Sequence, residues 1–153
     1  MDKNYYKIKL KDALVKAAIA NKAVKDFVAL VDRQGSLIGL ITVRIMELTP
    51  VSPSDAKTYI NYETGKFNGG RGMPHCIDPK LKKLFAEHES IVTKQKTLFN
   101  FQTVEEGVNI ANNLVSKAKN IIIEIKKALD DNTAKEICSS AKTEAIRETG
   151  IQF

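Results

Sequence analysis

The stretch Thr103–Leu129, TVEEGVNIANNLVSKAKNIIIEIKKAL, constrains this chain more than any other. Val104, Val108, Ala111, Val115, Ala118, Ile122, Ile125 and Leu129 recur at alternating steps of four and three, which places all of them on one stripe of an α-helix. Ile110, Leu114, Ile121 and Ala128 widen that stripe beyond a strict coiled-coil seam. The helix start is written chemically. Thr103 and Glu106 have the spacing of a capping box, and Glu105 with Glu106 at one end and Lys126 with Lys127 at the other suit the helix dipole. Ala111 and Ala118 on the seam allow close approach of a second helix. That helix belongs either to this chain or to another, so 103–129 is also a candidate surface for a protein partner or a homo-oligomer.

A chain of 153 residues is long enough to bury a core as a single domain, 1–153. Its 43% apolar and 27% charged content is that of a globular protein. No run approaches the roughly 20 apolar residues of a spanning helix, so no membrane partner is expected. The opening MDKNYYKIKL has neither the apolar core nor the cleavage site of a signal peptide. Cys76 and Cys138 are far apart and form neither a metal cluster nor a disulfide framework. Reduced thiols and a cytoplasmic setting follow as the expectation. Asp78, Glu87, His88 and Glu89 lack the i, i+4 pairing of a helical zinc site, so no metal and no cofactor is implied.

Read in order, residues 1–76 give β-α-β-β. Tyr5–Leu10 alternates apolar and basic residues as a short edge strand does. Lys11–Val24 is alanine-rich with helical spacing. Phe27–Val31 and Leu37–Val43 are apolar runs separated by Asp32, Arg33, Gln34, Gly35 and Ser36, and predict a central hairpin. Ser52 and Pro53 suit a short helix start, and Thr58–Tyr62 with Phe67 suits a second small hairpin through Glu63–Lys66. The second half, 77–153, gives about three helices: Pro79 to about Gln95, the long helix, and a C-terminal helix opened by Thr133 with Glu136 and stopped at Gly150. The fold class expected is therefore α+β, a basic β-α-β-β sheet packed against a C-terminal helical set.

The first hairpin carries a family likeness. Val31, Asp32, Gly35, Leu37, Gly39, Ile41 and Thr42 spell VDxxGxLxGxIT, which resembles the strand–turn–strand part of a CBS module. That resemblance implies a nucleotide-ligand sensor. The module's ribose-binding Asp, three residues after the Thr, is replaced by Ile45, and a second copy of the module is absent.

Charge supplies the leading functional expectation. Residues 1–76 hold twelve Lys and Arg against seven Asp and Glu, a net +5, and residues 77–153 hold twelve against eleven, a net +1. Such an excess favours anionic partners, nucleic acid first and RNA ahead of DNA. Tyr5, Tyr6, Tyr59, Tyr62 and Phe67 interleave with Lys3, Lys7, Lys57 and Lys66, an arrangement that would let bases stack on a basic sheet surface. Lys80, Lys82 and Lys83 crowd a helix start where the dipole disfavours cations, and an anionic partner would relieve them. Between these lies NGGRGMPHCIDP, Asn68–Pro79, too rich in glycine and proline for regular structure. Arg71 there suits a phosphate contact, and His75 suits general acid or base work on a ribose hydroxyl, with Tyr59, Tyr62 or His88 as its partner. That set describes a metal-independent ribonuclease of the small toxin type. The nucleic-acid-binding residues expected are Lys57, Lys66, Arg71, Lys80, Lys82 and Lys83. The reading from another class is a protein-interaction module acting through the long helix.

Overall fold

The computed structural model describes residues 3–68 and 78–151. These form five helices: α1 (Lys3–Leu48), α2 (Pro53–Lys57), α3 (Pro79–Thr97), α4 (Val104–Ala128) and α5 (Asp131–Thr149). No sheet occurs among the described residues, and strand-type pairing is limited to one antiparallel bridge, Ile60 with Phe67. The α+β expectation is thus overturned. The segments read as a β-α-β-β half are helical, and among the described residues no helix is long and apolar enough to cross a membrane.

The reason lies in α1. Tyr5–Leu10 alternates, but Tyr6 and Leu10 are also four apart, and both are buried while Tyr5 and Ile8 stand half exposed. In the expected hairpin, Leu37, Ile41 and Ile45 form an i, i+4, i+8 stripe with no exposed surface, whereas Leu40 and Val43 are 48% and 56% exposed. A run that is apolar at nearly every position satisfies both periods, and packing chooses between them. Gly35 keeps an ordinary helical φ; among the described residues only Gly65 and Gly150 have positive values. The turn that the CBS likeness needs is therefore absent, and the likeness goes with it. Thr42, buried within this helix, satisfies its hydroxyl by donating to the Ile38 carbonyl at 2.6 Å.

The chain divides into two compact units, Met1–Asp26 with Thr103–Phe153, and Phe27–Gln102. In the first, Tyr6 and Leu10 of α1, Ile125 of α4 and Ala134, Ile137 and Ala141 of α5 form one core. The seam expected on the long helix buries Ala111, Ala118 and Ile125 within this unit. Thr103 caps α4 by accepting from the Glu106 amide at 3.1 Å. The cap of α5 is not Thr133 but Asp130, which accepts from the Thr133 amide at 2.7 Å. Gly150 ends α5 in the left-handed region, as expected. Lys7 and Lys11 pair with Glu144 and Glu148, and Lys9 pairs with Glu124. The rising order of the first two pairs makes α1 and α5 parallel.

In the second unit, Ile41 and Ile45 of α1 pack with Ala56, Ile60, Leu81 and Phe85. Arg33 pairs with Glu87 and Arg44 with Asp78, so α1 and α3 run antiparallel here. Phe27, Phe99 and Phe101 form an aromatic cluster with centroids 5.1 to 5.4 Å apart. The turn Asn61–Lys66 is held by Asn61 Oδ1, which accepts from the Glu63 and Thr64 amides. At Gly65, with φ +80°, the backbone rests directly on α3.

Grouping by unit also removes the charge asymmetry of the two sequence halves. The first unit holds fourteen Lys and Arg against eleven Asp and Glu, and the second ten against seven, so each is +3. The N-terminal lysines belong with the acidic C-terminal helices, where their ion partners are.

Candidate functional site

The expected site residues fall into three groups. Arg71 and His75 lie outside the described residues. Tyr5, Tyr6, Lys3 and Lys7 lie on α1 in the first unit, and no sheet carries them. Lys57, Tyr59, Tyr62, Lys66, Lys80, Lys82 and Lys83 lie in the second unit, on α2, on the bridged turn and on the first turn of α3.

Part of this last group meets at one place. A shallow cavity of about 240 Å³ is walled by Phe67 and Phe85 and edged by Lys66, Lys82 and Glu89. Phe67 meets Phe85 edge-on at 5.5 Å and lies nearly parallel to Tyr59 at 6.1 Å. Lys66 sits 3.7 Å from the Glu89 carboxylate, a long and exposed pair that contributes little. Lys57, Lys80, Lys82 and Lys83 are exposed and make no ion pair among the described residues. Tyr62 is 49% exposed on the turn.

The helix start beside this cavity carries its own counter-charge. Asp78 is the N-cap of α3, and its Oδ2 accepts from the Leu81 amide at 3.0 Å. The Arg44 guanidinium grips the same carboxylate, Nε to Oδ2 at 3.0 Å and Nη2 to Oδ1 at 2.7 Å, the two-pronged geometry of a strong charge-assisted pair. Arg44 first, and then the Leu81 amide, hold the Asp78 carboxyl down at about 2. The Arg44 guanidinium is correspondingly raised, chiefly by Asp78 and then Glu47. Neither residue stands out in the sequence. The signal available was Asp immediately before Pro at a helix start.

His88 is settled by geometry. It has no exposed surface. Its Nδ1 lies 3.0 Å from the Gly65 carbonyl, which can only accept, so Nδ1 carries the proton. Its Nε2 then receives the Gln34 amide at 3.4 Å, and Gln34 Oε1 accepts from Gln95 at 3.0 Å. Both ring nitrogens serve the fold, tying α1, α3 and the Gly65 turn together, and no face of the ring meets solvent. Lys96 adds to this by donating to the Glu63 carbonyl.

The arrangement is a shallow cavity with half-buried Phe67 and largely buried Phe85 in its wall, the Lys66–Glu89 pair on its edge, and Lys82 beside it without an ion pair among the described residues. Phe85 and Glu89 are the members that sequence reading missed, because on a helix they read as core and solvent face. Comparison with family models, with curated proteins and with solved structures finds no match to this chain.

Proposed function

We propose that the chain binds single-stranded nucleic acid through the second unit. In this reading Phe67 and Phe85 receive an unstacked base, and Lys57, Lys66, Lys80, Lys82 and Lys83 meet the phosphates. A cytoplasmic setting belongs to the same reading. The observation that carries it is the coincidence of the Phe67–Phe85 cavity with Lys82, an exposed lysine that has no carboxylate partner among the described residues. Aromatic platforms with a cationic surround take any base, because every base has a π face.

The test is the affinity for a labelled single strand as a function of salt. Three phosphate contacts on a single strand release counterions worth about two in the slope of log K against log salt. Replacing Lys80, Lys82 and Lys83 together by Gln should flatten the slope by about that amount. An unchanged slope removes this patch from the interface. Phe67→Leu keeps an apolar group in the cavity wall but loses the flat ring, and should weaken binding by about 1 kcal/mol or more at every salt concentration.

A further inference from the structure

The first unit holds a second cavity that the reading above leaves unused. It measures about 700 Å³ and lies between α1, α4 and α5, a size typical of small-molecule sites. Its accessible apolar wall is Leu14 from α1, Ile122 from α4 and Cys138 from α5, all half-buried, with Leu10 and Ala134 packed in the core behind them. Burial pushes the Cys138 thiol up, against a smaller opposing effect of Lys126, so it stays a neutral wall group.

The rim has the opposite character. Lys126 of α4 and Lys135 and Lys142 of α5 line the mouth, with Asp131 as the one acid. All three lysines are exposed, and none makes an ion pair among the described residues. Elsewhere in the same bundle the pattern is mixed. Lys7, Lys9 and Lys11 each reach a glutamate at 3.0 to 3.3 Å. Lys16, Lys25, Lys117, Lys119 and Lys127 of this unit likewise make no ion pair among the described residues, so what sets Lys126, Lys135 and Lys142 apart is their shared place around one cavity. Lys135 and Lys142 are seven residues apart, two turns on one face of α5, with Ser139 between them. The mouth carries a net +2 above an apolar interior.

We propose that this cavity binds an amphipathic carboxylate, its alkyl chain between α1, α4 and α5 and its carboxylate among Lys126, Lys135 and Lys142. Charge complementarity selects this occupant. A neutral apolar ligand would leave three ammonium groups crowded at the mouth without a counter-ion. A cationic amphiphile would add to the repulsion.

The experiment uses three ten-carbon probes, decanoate, decanol and decyltrimethylammonium, with the full chain and calorimetric titration. Decanoate should bind about tenfold or more tightly than decanol, the sum of three weak surface ion pairs, and the ammonium should bind least. Replacing Lys126, Lys135 and Lys142 together by Gln should bring decanoate to the level of decanol. These positions are exposed, so the fold is expected to persist, and an unchanged circular dichroism spectrum checks it. Ser139→Trp, at another exposed position, should block all three probes by filling the mouth. The proposal is overturned if no probe binds, if decanoate and decanol bind alike, or if the triple variant keeps the decanoate affinity. The Lys80, Lys82 and Lys83 variant should leave decanoate binding unchanged, which separates this site from the nucleic-acid reading.

Discussion

Among the glycines Gly35, Gly39, Gly65 and Gly150, only Gly65 would bring an added Cβ against backbone, and it gives the sharpest test. Its φ is +80°, and a Cβ there would sit 2.6 Å from the Glu89 Cα, 2.9 Å from the Glu89 nitrogen and 3.0 Å from the His88 carbonyl oxygen. All three are backbone atoms of α3 and cannot rotate away. Gly65→Ala therefore incurs three costs. The left-handed conformation costs an L-residue about 1 kcal/mol or more. Forcing the turn off α3 is overpacking, about 1 kcal/mol at the least. Moving the Gly65 carbonyl takes the acceptor from the buried Nδ1–H of His88, now 3.0 Å away, and an unsatisfied buried donor costs about 1 kcal/mol or more. The sum is about 3 kcal/mol or more.

Gly35 and Gly39 predict the opposite sign. Both lie inside α1, have no positive φ, and would place a Cβ in open space. Each Gly→Ala there should stabilise by about 1 kcal/mol, the helix-propensity difference alone. Urea unfolding followed by circular dichroism, at matched m-values, reads all three variants. A Gly65→Ala variant within about 0.5 kcal/mol of the parent, or a Gly35→Ala variant that destabilises as a hairpin turn would require, refutes this account.

Asp78 should make stability pH-dependent: its carboxyl is held at about 2 in the folded chain against an ordinary 3.8, so its contribution is complete above about 4 and is lost as pH falls toward 2. Asp78→Asn should flatten the unfolding midpoint over that window, and equal slopes for parent and variant would refute the pairing with Arg44. Ile41→Ala should cost about 3 kcal/mol and its neighbour Leu40→Ala less than about 0.5 kcal/mol, because Ile41 has no exposed surface and Leu40 is 48% exposed; comparable losses at the two positions would argue for a strand buried on both faces. Thr103→Ala removes the N-cap of α4 and should lower stability by about 1 kcal/mol in the same unfolding assay.

The helical half was legible because its signals agree with one another. Thr103 with the 3–4 seam, Pro79 at the start of α3, and Gly150 at the end of α5 each combine a period with a stop or start residue. Residues 27–48 lacked that agreement. Gln34, Gly35 and Ser36 look like a turn between two β-branched runs, yet Gln34 faces His88 and Gln95 from a helix, and Ser36 donates to the Asp32 carbonyl one turn back. Local propensity favoured strands by tenths of a kcal/mol per residue, whereas each buried Leu or Ile side chain is worth about 2 kcal/mol. Only the long-range partners Leu81 and Phe85, some forty residues away, reveal which period is buried.

The basic patch shows the same division between local and distant information. Lys80, Lys82 and Lys83 are plain in the sequence, and so is their conflict with the dipole of α3. The nearest carboxylate in the chain is Asp78, two residues before Lys80, and the structure places it at the N-cap. But Asp78 is already gripped by Arg44, a residue of α1 thirty-four positions away. Arg44 is itself shared with Glu47 at 2.8 Å, so Asp78, Arg44 and Glu47 together set one net negative charge against three ammonium groups. The first turn of α3 therefore keeps its cationic excess, and the Arg44 pair decides this rather than the lysines themselves. It follows that Arg44→Gln, which frees Asp78 to act on the lysines, should weaken binding of a single strand without touching it and lower the salt slope. Binding that is unaffected in this variant would mean the excess at α3 plays no part.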